Sequence, residues 1–584
     1  MILDAEQTNA VRTDSRQVLV SAGPGGGKTR TIIERAAYLI EHRQVSPSEL
    51  LLVTFSRKAA GEMRSRMVER LGSAAANKME IGTFHATALK LLKRFGEFVG
   101  LNGKNLTVYG EFESNFLLKE CAIDLGVYKK SWNPLKKDID KIFSEYYETG
   151  KEPNSDNPGT PLFKEFIMRC KENRSLTYGG LLTGLKLLLP FIYQYLPWRH
   201  VIIDEGHDTD LLQIELMRMI QKGCEASLFI VLDVDQTLYG WRGACPEYWL
   251  EHQEEFELHL LTTNYRSCPE IVGAANRLIE HNTARIPRTM RATREDRGRI
   301  DCPRGMDTEM VVRLLSDLVH SQREGSAVLS RNHFLLKKLA SKLDDINFPY
   351  TYVGRTAELV DSELFRRFHA FLKLLVNPFD NMSFLLIRDI LGLSLKEYNE
   401  IRLRATQESK SHFQSWYDMV PPSPEDLKRQ FFDCSIIFPF PLDAAKDIQN
   451  IFTFDVTEIV NFVDAWAKSD PIAPLSDYLY WLATFDIQDE VKEDDDRLKL
   501  LTGHAAKGLE FGLVIIIGAN EGIIPSKQAI EAGDNEIQAE RRLFYTMMTR
   551  AKDALILAVR HERKEGENGK VYLNPISRFM REIQ

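Results

Sequence analysis

The chain is poor in cysteine, and none of its seven (Cys121, Cys170, Cys224, Cys245, Cys268, Cys302 and Cys434) stands in a C-x-x-C pair. Zinc and iron–sulfur centres ask for such spacing, so neither is expected. Scattered single thiols fit a reducing cytosol. No apolar run is long enough to span a bilayer. The start, Met1-Ile2-Leu3-Asp4-Ala5-Glu6, lacks the basic region and apolar core of a secretory signal. A basic excess is missing too, with 75 Lys and Arg against 83 Asp and Glu. Nucleic-acid binders often carry such an excess, so a surface of that kind must here be a local groove. No repeat or low-complexity tract is evident. A soluble, cytoplasmic protein is expected. Its 584 residues suggest roughly four domain-sized units.

What is present begins with Ala22-Gly23-Pro24-Gly25-Gly26-Gly27-Lys28-Thr29. It follows the apolar run Val18-Leu19-Val20 and precedes a helical pattern from Thr31 to Ile40. Glycines let backbone N–H groups turn inward and cradle phosphate oxygens, and a helix start adds a positive dipole end. Lys28 suits the β- and γ-phosphates and Thr29 suits Mg²⁺. Ala22 replaces the first glycine of the usual G-x-x-x-x-G-K-[ST] pattern.

Upstream, Leu3 to Val11 reads as a capped amphipathic helix. The amide of Gln7 matches a base edge, but from this residue alone a plain surface helix is the better reading. Strands are expected at Leu51–Phe55 and Ile81–His85. Ligands in open α/β sheets bind outside the carboxyl ends of strands, which makes Phe55 and His85 candidates for a second ligand. From Ala86 to Trp198 helical patterns take over, with Lys129-Lys130-Ser131-Trp132 and Tyr146-Tyr147 mixing bases and aromatics. Alternation resumes at Val201-Ile202-Ile203-Asp204-Glu205. Carboxylates at the end of a buried strand are costly unless paired or metal-bound. After a phosphate loop the economical reading is Asp204 on Mg²⁺ and Glu205 polarising the attacking water.

The next strand, Leu228–Asp233, leads to Gln236, apt to orient a water or sense a γ-phosphate. Tyr239, Trp241 and Arg242 follow on one loop. Base stacking on such rings is worth about 1–3 kcal/mol each; burial as structural aromatics is the other reading. Leu260 to Ser267 is expected to open a second series of strands. The arginines 285, 288, 291, 294, 297 and 299 then read as a loop, either contacting phosphate or solvated. Ala327–Ser330 and Tyr352–Arg355 continue the strands. From Asp380 to Asp495 helices dominate, broken by Val420-Pro421-Pro422-Ser423-Pro424 and Phe438-Pro439-Phe440-Pro441, with Glu490 to Asp496 an acidic link. Leu498–Thr502, Leu513–Ile517 and Ala554–Val559 close the series.

Together these segments resemble the superfamily 1A DNA helicases of the UvrD/Rep/PcrA type, over nearly the whole chain. Thr54-Phe55-Ser56-Arg57-Lys58-Ala59-Ala60 resembles T-F-T-N-K-A-A, and Gly82-Thr83-Phe84-His85 resembles G-T-F-H. Asp204-Glu205-Gly206-His207-Asp208-Thr209 corresponds to D-E-F-Q-D-T. Gln236 to Ala244 matches Q-S-I-Y-S-W-R-G-A, Asn264-Tyr265-Arg266-Ser267 matches N-Y-R-S, and Thr502 to Phe511 resembles T-x-H-x-A-K-G-L-E-F. The resemblance implies an α/β fold of two RecA-like P-loop NTPase domains, parallel sheets flanked by helices, each carrying a mostly helical inserted domain. The first would comprise residues 1–88 and 196–258 with an insertion at 89–195, the second residues 259–378 and 497–584 with a shortened insertion at 379–496.

It also implies roles. ATP would be held by Gln7, Ala22, Gly23, Pro24, Gly25, Gly26, Gly27, Lys28, Thr29, Arg30, Tyr265 and Glu510. Hydrolysis would use Lys28, Asp204, Glu205 and Gln236 with the arginine fingers Arg266 and Arg550, and Thr29 and Asp204 would hold Mg²⁺. DNA would meet Phe55, His85, Tyr239, Trp241, Arg242, Thr502 and His504. The implied activity is an ATP- and Mg²⁺-dependent helicase tracking single-stranded DNA 3′ to 5′. Its partners would be single-stranded DNA, single-strand/duplex junctions and a protein such as a nuclease or repair factor. No membrane is involved, and DNA binding would place the protein on the nucleoid.

Departures bear on coupling to DNA. Gly206 and His207 replace Phe and Gln, Arg57 replaces Asn, Leu232 stands where Gly is usual, and Leu176–Leu182 lacks the family's acidic residues. The chain stops soon after the last motif, so no fused nuclease is expected. The rival readings are a single-strand-dependent ATPase or translocase, an ATP-switched DNA clamp, and a P-loop kinase or signalling NTPase. The last leaves Tyr239, Trp241 and two distant arginines without a role.

Overall fold

The computed structural model describes residues 3–103, 106–128, 132–149, 151–317, 325–354, 359–419, 440–452, 454–485, 497–560, 563–565, 571–573 and 575–584. Lys129 to Ser131, the proline run at 420–424, Phe438-Pro439 and the acidic link at 490–496 lie outside the described residues. The chain forms two compact units. One gathers Met1–Phe84, Tyr193–Arg355 and Ile487–Gln584; the other gathers His85–Ile192 and Thr356–Asp486.

The first unit holds two six-stranded sheets, each wholly parallel. The first runs Glu80–Gly82, Leu50–Val53, His200–Ile203, Ser227–Leu232, Gln17–Ala22, Glu257–Leu261. The second runs Arg299–Asp301, Ala551–Ala558, Phe511–Ile517, Ser326–Ser330, Leu498–Thr502, Tyr350–Tyr352. The inner strands are nearly continuous apolar runs because helices cover both faces. Val18, Val20, Leu52, Ile202, Phe229 and Val231 share one core with Ile32 and Ala36 of the helix Lys28–Arg43. Val514, Ile516, Leu555 and Leu557 pack against the helices Pro269–Ile279 and Asp534–Met548.

Two expectations are corrected here. Leu260 and Leu261 do not open the second series: Glu257–Leu261 pairs with Gln17–Ala22, from Val18↔Glu257 to Ala22↔Leu261. Its exposed start and buried end suit an edge position. Among the described residues, Thr263–Asn264 then pairs only with Arg291–Ala292. Ala22 is explained by the same pairing, because it ends a buried strand where no glycine conformation is needed.

In the second unit, the helix Glu363–Val376 puts Phe365, Phe368 and Phe371 into a core with Val463 and Tyr478. The helical stretch therefore begins before the expected residue 379. Helices are not alone here either, since Thr107–Tyr109 and Ser175–Thr177 form a short parallel pair. Buried polar groups tie the chain's two helical stretches within this unit. Tyr109 donates to Asp380 Oδ1 at 2.5 Å, and Asn377 Nδ2 donates to Thr107 Oγ1 at 2.9 Å and to the Asn173 carbonyl at 2.8 Å.

Candidate active site

The carboxyl ends of the first sheet bring the phosphate loop, Asp204-Glu205 and Asp233–Gln236 together. The loop turns through Gly25 and Gly27, at φ 67° and 78°, so that the helix starts at Lys28. These values favour glycine. A Cβ on Gly27 would also meet Gln7 Nε2 at 2.5 Å. Gln7 is fully buried: its Nε2 donates to the Gly26 carbonyl at 3.3 Å, and its Oε1 accepts from the Asp4 amide at 3.3 Å. The amide expected to read a base thus braces the phosphate loop and caps its own helix.

Lys28 Nζ lies 3.6 Å from Glu205 Oε2. Glu205 has φ 54°, a left-handed backbone uncommon outside glycine. Burial, then the charge of Glu205, pushes the Asp204 carboxyl upward. Burial opposes charge on Glu205 too, but Lys28 and Lys507 outweigh it and hold that carboxyl below its usual range. Glu205 Oε2 is buried and accepts no hydrogen bond among the described residues. A buried, oxygen-rich corner with such an atom suits a hard divalent cation, and Thr29 stands half-buried on the first turn of the adjoining helix. Glu205, His207 and Asp208 also present ligand atoms within 4.8 Å of one another, but Lys507 already occupies that corner.

Lys507 is the residue the sequence reading left out. Its ammonium pairs with Asp208, lies 3.0 Å from His207 Nε2 and donates to the Gln236 carbonyl at 3.1 Å. Burial and then Lys507 keep His207 neutral, far below the usual imidazole range. Its Nδ1 accepts from the Asp233 amide at 3.0 Å. The departures at 206 and 207 thus have local reasons. The Gly206 carbonyl takes Trp249 Nε1 at 2.7 Å, a Cβ there would meet Ile230 at 2.7 Å, and His207 braces the next strand end. The signal for Lys507 was the lone lysine in His504-Ala505-Ala506-Lys507-Gly508.

Two arginines come from later in the chain: Arg550 on the turn that enters the strand Ala551–Ala558 of the second sheet, and Arg266 between Thr263–Asn264 and the helix Pro269–Ile279. Arg550 is buried, with Nη2 donating to Gln236 Oε1 at 3.1 Å and Nε to the Thr546 carbonyl at 3.0 Å. Burial, then the charge of Arg266, draws its guanidinium down to about 9. Arg266 packs on the phosphate loop, so that a Cβ on Gly25 would lie 2.7 Å from its own Cβ. It donates to Glu510 Oε2 at 2.7 Å, and Glu510 also pairs with Lys552. Asn264 Nδ2 donates to the Pro24 carbonyl at 2.7 Å and the Tyr265 amide to the Gly25 carbonyl at 3.0 Å. Tyr265 is 41 % exposed and donates to Asp4 Oδ2 at 2.5 Å. Lys28, Glu205, Gln236, Arg266 and Arg550 are therefore gathered into one cluster.

The arginine run is not a free loop. Arg285 donates to Asp235 at 2.9 Å, Arg288 is buried against Asp233 and Asp235, and Arg294 holds Asp296 and Asp553. Counter-charges explain why these guanidinium groups enter the fold.

The aromatics differ from expectation. Tyr239 is 5 % exposed and stacks on Phe55 at 4.8 Å, with Arg242 and Lys507 over its ring. It is a packed residue, not an open stacking platform. The backbone of Trp241 lies on a 3₁₀ turn, and its side chain is outside the described residues. Thr502 is buried and its Oγ1 accepts from the Ala505 amide at 3.3 Å. Burial, then Arg331 and Arg242, draws His504 down to about 4. In the second unit, His85 stacks on Tyr178 at 3.8 Å, and burial lowers it to about 3.

Two family models match the chain. One is described as the UvrD/REP helicase N-terminal domain and covers residues 3–257; the other, the UvrD-like helicase C-terminal domain, covers 259–432 and 447–562. A protein named ATP-dependent DNA helicase PcrA from Leuconostoc citreum is 27 % identical over all of this chain and 84 % of its own length. Proteins of the same name from Bacillus subtilis (27 %, 85 % of its length) and Staphylococcus aureus (25 %, 86 %) also match over the whole chain. Among the described residues no helix is long and apolar enough to cross a membrane.

Proposed function

The chain belongs to the UvrD-like helicase family and is an ATP-hydrolysing DNA helicase of that type, and from this premise we propose that it tracks one DNA strand 3′ to 5′ and parts duplexes at single-strand junctions. The observation that carries the reading is the meeting of Arg550, from the second sheet, with Gln236, from the first, beside Lys28 and Glu205.

In this reading the amides of Gly25 to Lys28 and the Lys28 ammonium hold the phosphates. Thr29 and Asp204 would hold Mg²⁺, which would supply charge neutralisation at the phosphates. Glu205 takes the proton of the attacking water. Arg266 and Arg550 meet the charge that develops on the γ-phosphoryl group, a contribution worth about 10³–10⁵ in rate in related enzymes. Arg266 must leave Glu510 to do so, freeing that carboxylate for a ribose, and Tyr265 leaves Asp4 to cover a base. Because Arg550 adjoins the second sheet and Lys28 the first, turnover opens and closes the cleft between them. Lys507, linking the same sheets at Asp208, carries that motion to the loop bearing Tyr239, Trp241 and Arg242. Phe55, Thr502 and His504 continue the strand's path, and His85 is a further DNA contact in this reading. A protein partner such as a nuclease or repair factor, and residence on the nucleoid, fit the same reading.

Strand displacement on duplexes with a 3′ or a 5′ single-stranded tail tests it. ATP-dependent displacement from the 3′ tail is expected. Displacement from the 5′ tail alone reverses the polarity, and DNA-stimulated hydrolysis with no displacement leaves a translocase.

A further inference from the structure

We propose that Arg288 is a positioning residue for hydrolysis: through Asp233 it sets which way the side-chain amide of Gln236 faces. The inference rests on the reading of Gln236 as the γ-phosphate contact.

Arg288 lies in the stretch whose arginines the sequence leaves as loop charge. Its side chain is 1 % exposed. Its guanidinium reaches three groups of the first sheet: the Asp233 carboxylate, Asp235 Oδ2 at 3.3 Å, and Ser21 Oγ at 2.8 Å. Ser21 immediately precedes the phosphate loop. Arg285 adds a second bond to Asp235, so two buried carboxylates face two arginines.

Asp233 is fully buried and occupied on both oxygens. Oδ1 accepts from Arg288 and from the Asp235 amide at 3.1 Å; Oδ2 accepts from Gln236 Nε2. An ionised carboxylate only accepts, so Gln236 must turn its NH₂ toward Asp233. That leaves Oε1 facing the Arg550 donor, 3.1 Å away. Burial by itself favours a neutral carboxyl, which can donate and let the amide turn over. NH₂ would then meet guanidinium, donor against donor. The charge of Arg288 removes that alternative. The preceding helix, Pro269–Ile279, packs in the core of the second sheet. One side chain thus joins the segment between the sheets to the base of the phosphate loop and to Gln236.

The test is a double-substitution cycle on the full chain. It reads DNA-stimulated ATP turnover, KM for ATP, affinity for a non-hydrolysable ATP analogue and thermal melting. Arg288→Met is expected to lower kcat about tenfold to a hundredfold, the scale of a misplaced reacting group. Its KM and analogue affinity should stay within about threefold, since the loss falls on the transition state. Arg288→Lys should recover part of the loss, and in a Gln236→Ala background Arg288→Met should cost nothing more. Wild-type turnover by a folded Arg288→Met protein overturns the proposal. So does a loss that multiplies with that of Gln236→Ala. Wild-type turnover by Gln236→Ala itself overturns the underlying reading of Gln236. Should Arg288→Met not fold, Asp233→Asn, which keeps the shape, enters the same cycle with the same expected non-additivity.

Discussion

Arg550 Nη2 and Gln236 Oε1 lie 3.1 Å apart, although 314 residues separate them and they stand on different sheets. Glutamine cannot compensate a buried cation, and burial, then the charge of Arg266, draws Arg550 down to about 9. A site that gathers positive charge beside Lys28 and Arg266 is prepared for a polyanion. Nucleotide binding should therefore relieve a strained charge balance as well as fill a cleft.

Replacing Arg550 with alanine removes one link between the sheets and one of the two fingers. DNA-stimulated hydrolysis should fall about 10³-fold or more, while single-stranded DNA binding without nucleotide persists. Steady-state ATPase and fluorescence anisotropy read the two effects separately. A loss of DNA binding equal to the loss of turnover would argue for a structural arginine.

Lys28→Ala should cost about 10²–10³ in turnover, the scale of one preorganised donor at a developing charge. Melting temperature should fall slightly, because the Glu205 carboxylate, held ionised in part by Lys28 at 3.6 Å, loses that counter-charge. Normal hydrolysis by this variant would refute the phosphate role.

Tyr239 is packed on Phe55, so Tyr239→Ala should destabilise by about 3–5 kcal/mol, as for other buried aromatic truncations. Trp241→Ala should weaken DNA stimulation more than basal turnover, consistent with the loss of roughly 1–3 kcal/mol of base stacking. Denaturant melts read the first and the DNA dependence of ATPase the second; an unchanged melt for Tyr239→Ala, or equal losses of basal and stimulated turnover for Trp241→Ala, would count against them.

The second unit should be acid-sensitive. Burial lowers His85 and His369 to about 3 and His412 to about 4. His369 Nδ1 meets the Phe365 carbonyl at 2.8 Å and must donate, so Nε2 accepts from Tyr478 at 2.7 Å. These groups are neutral when folded. The unfolded chain takes up their protons below about 6.5, so their stabilisation is present above that pH and is lost as pH falls toward 3–4. The slope is roughly 1.4 kcal/mol per pH unit for each histidine. Chemical denaturation between pH 7 and 4.5 should show it, and His369→Gln should reduce the slope by one proton.

Much of this was legible in one dimension. The glycine loop between strand and helix, the Asp204-Glu205 strand end and the order of motifs identify a nucleotide-dependent motor, because strand and loop chemistry are local. The partner of each charge was not legible. Arg288 reads as a solvated loop residue until Asp233 and Asp235 are seen beneath it, and Tyr239 reads as a base platform until Phe55 covers it. Gln7 was read as free to meet a base, yet its amide is spent on Asp4 and Gly26. Leu261 looked like the start of a new sheet and proved to be the edge of the old one. Lys507 had no visible task until the fold set it beside Asp208, some 300 residues away. Residue order thus established which chemical groups the protein owns. The packing of two sheets decided which of them face each other, since burial forces each charge or amide to find a partner that spacing along the chain does not reveal.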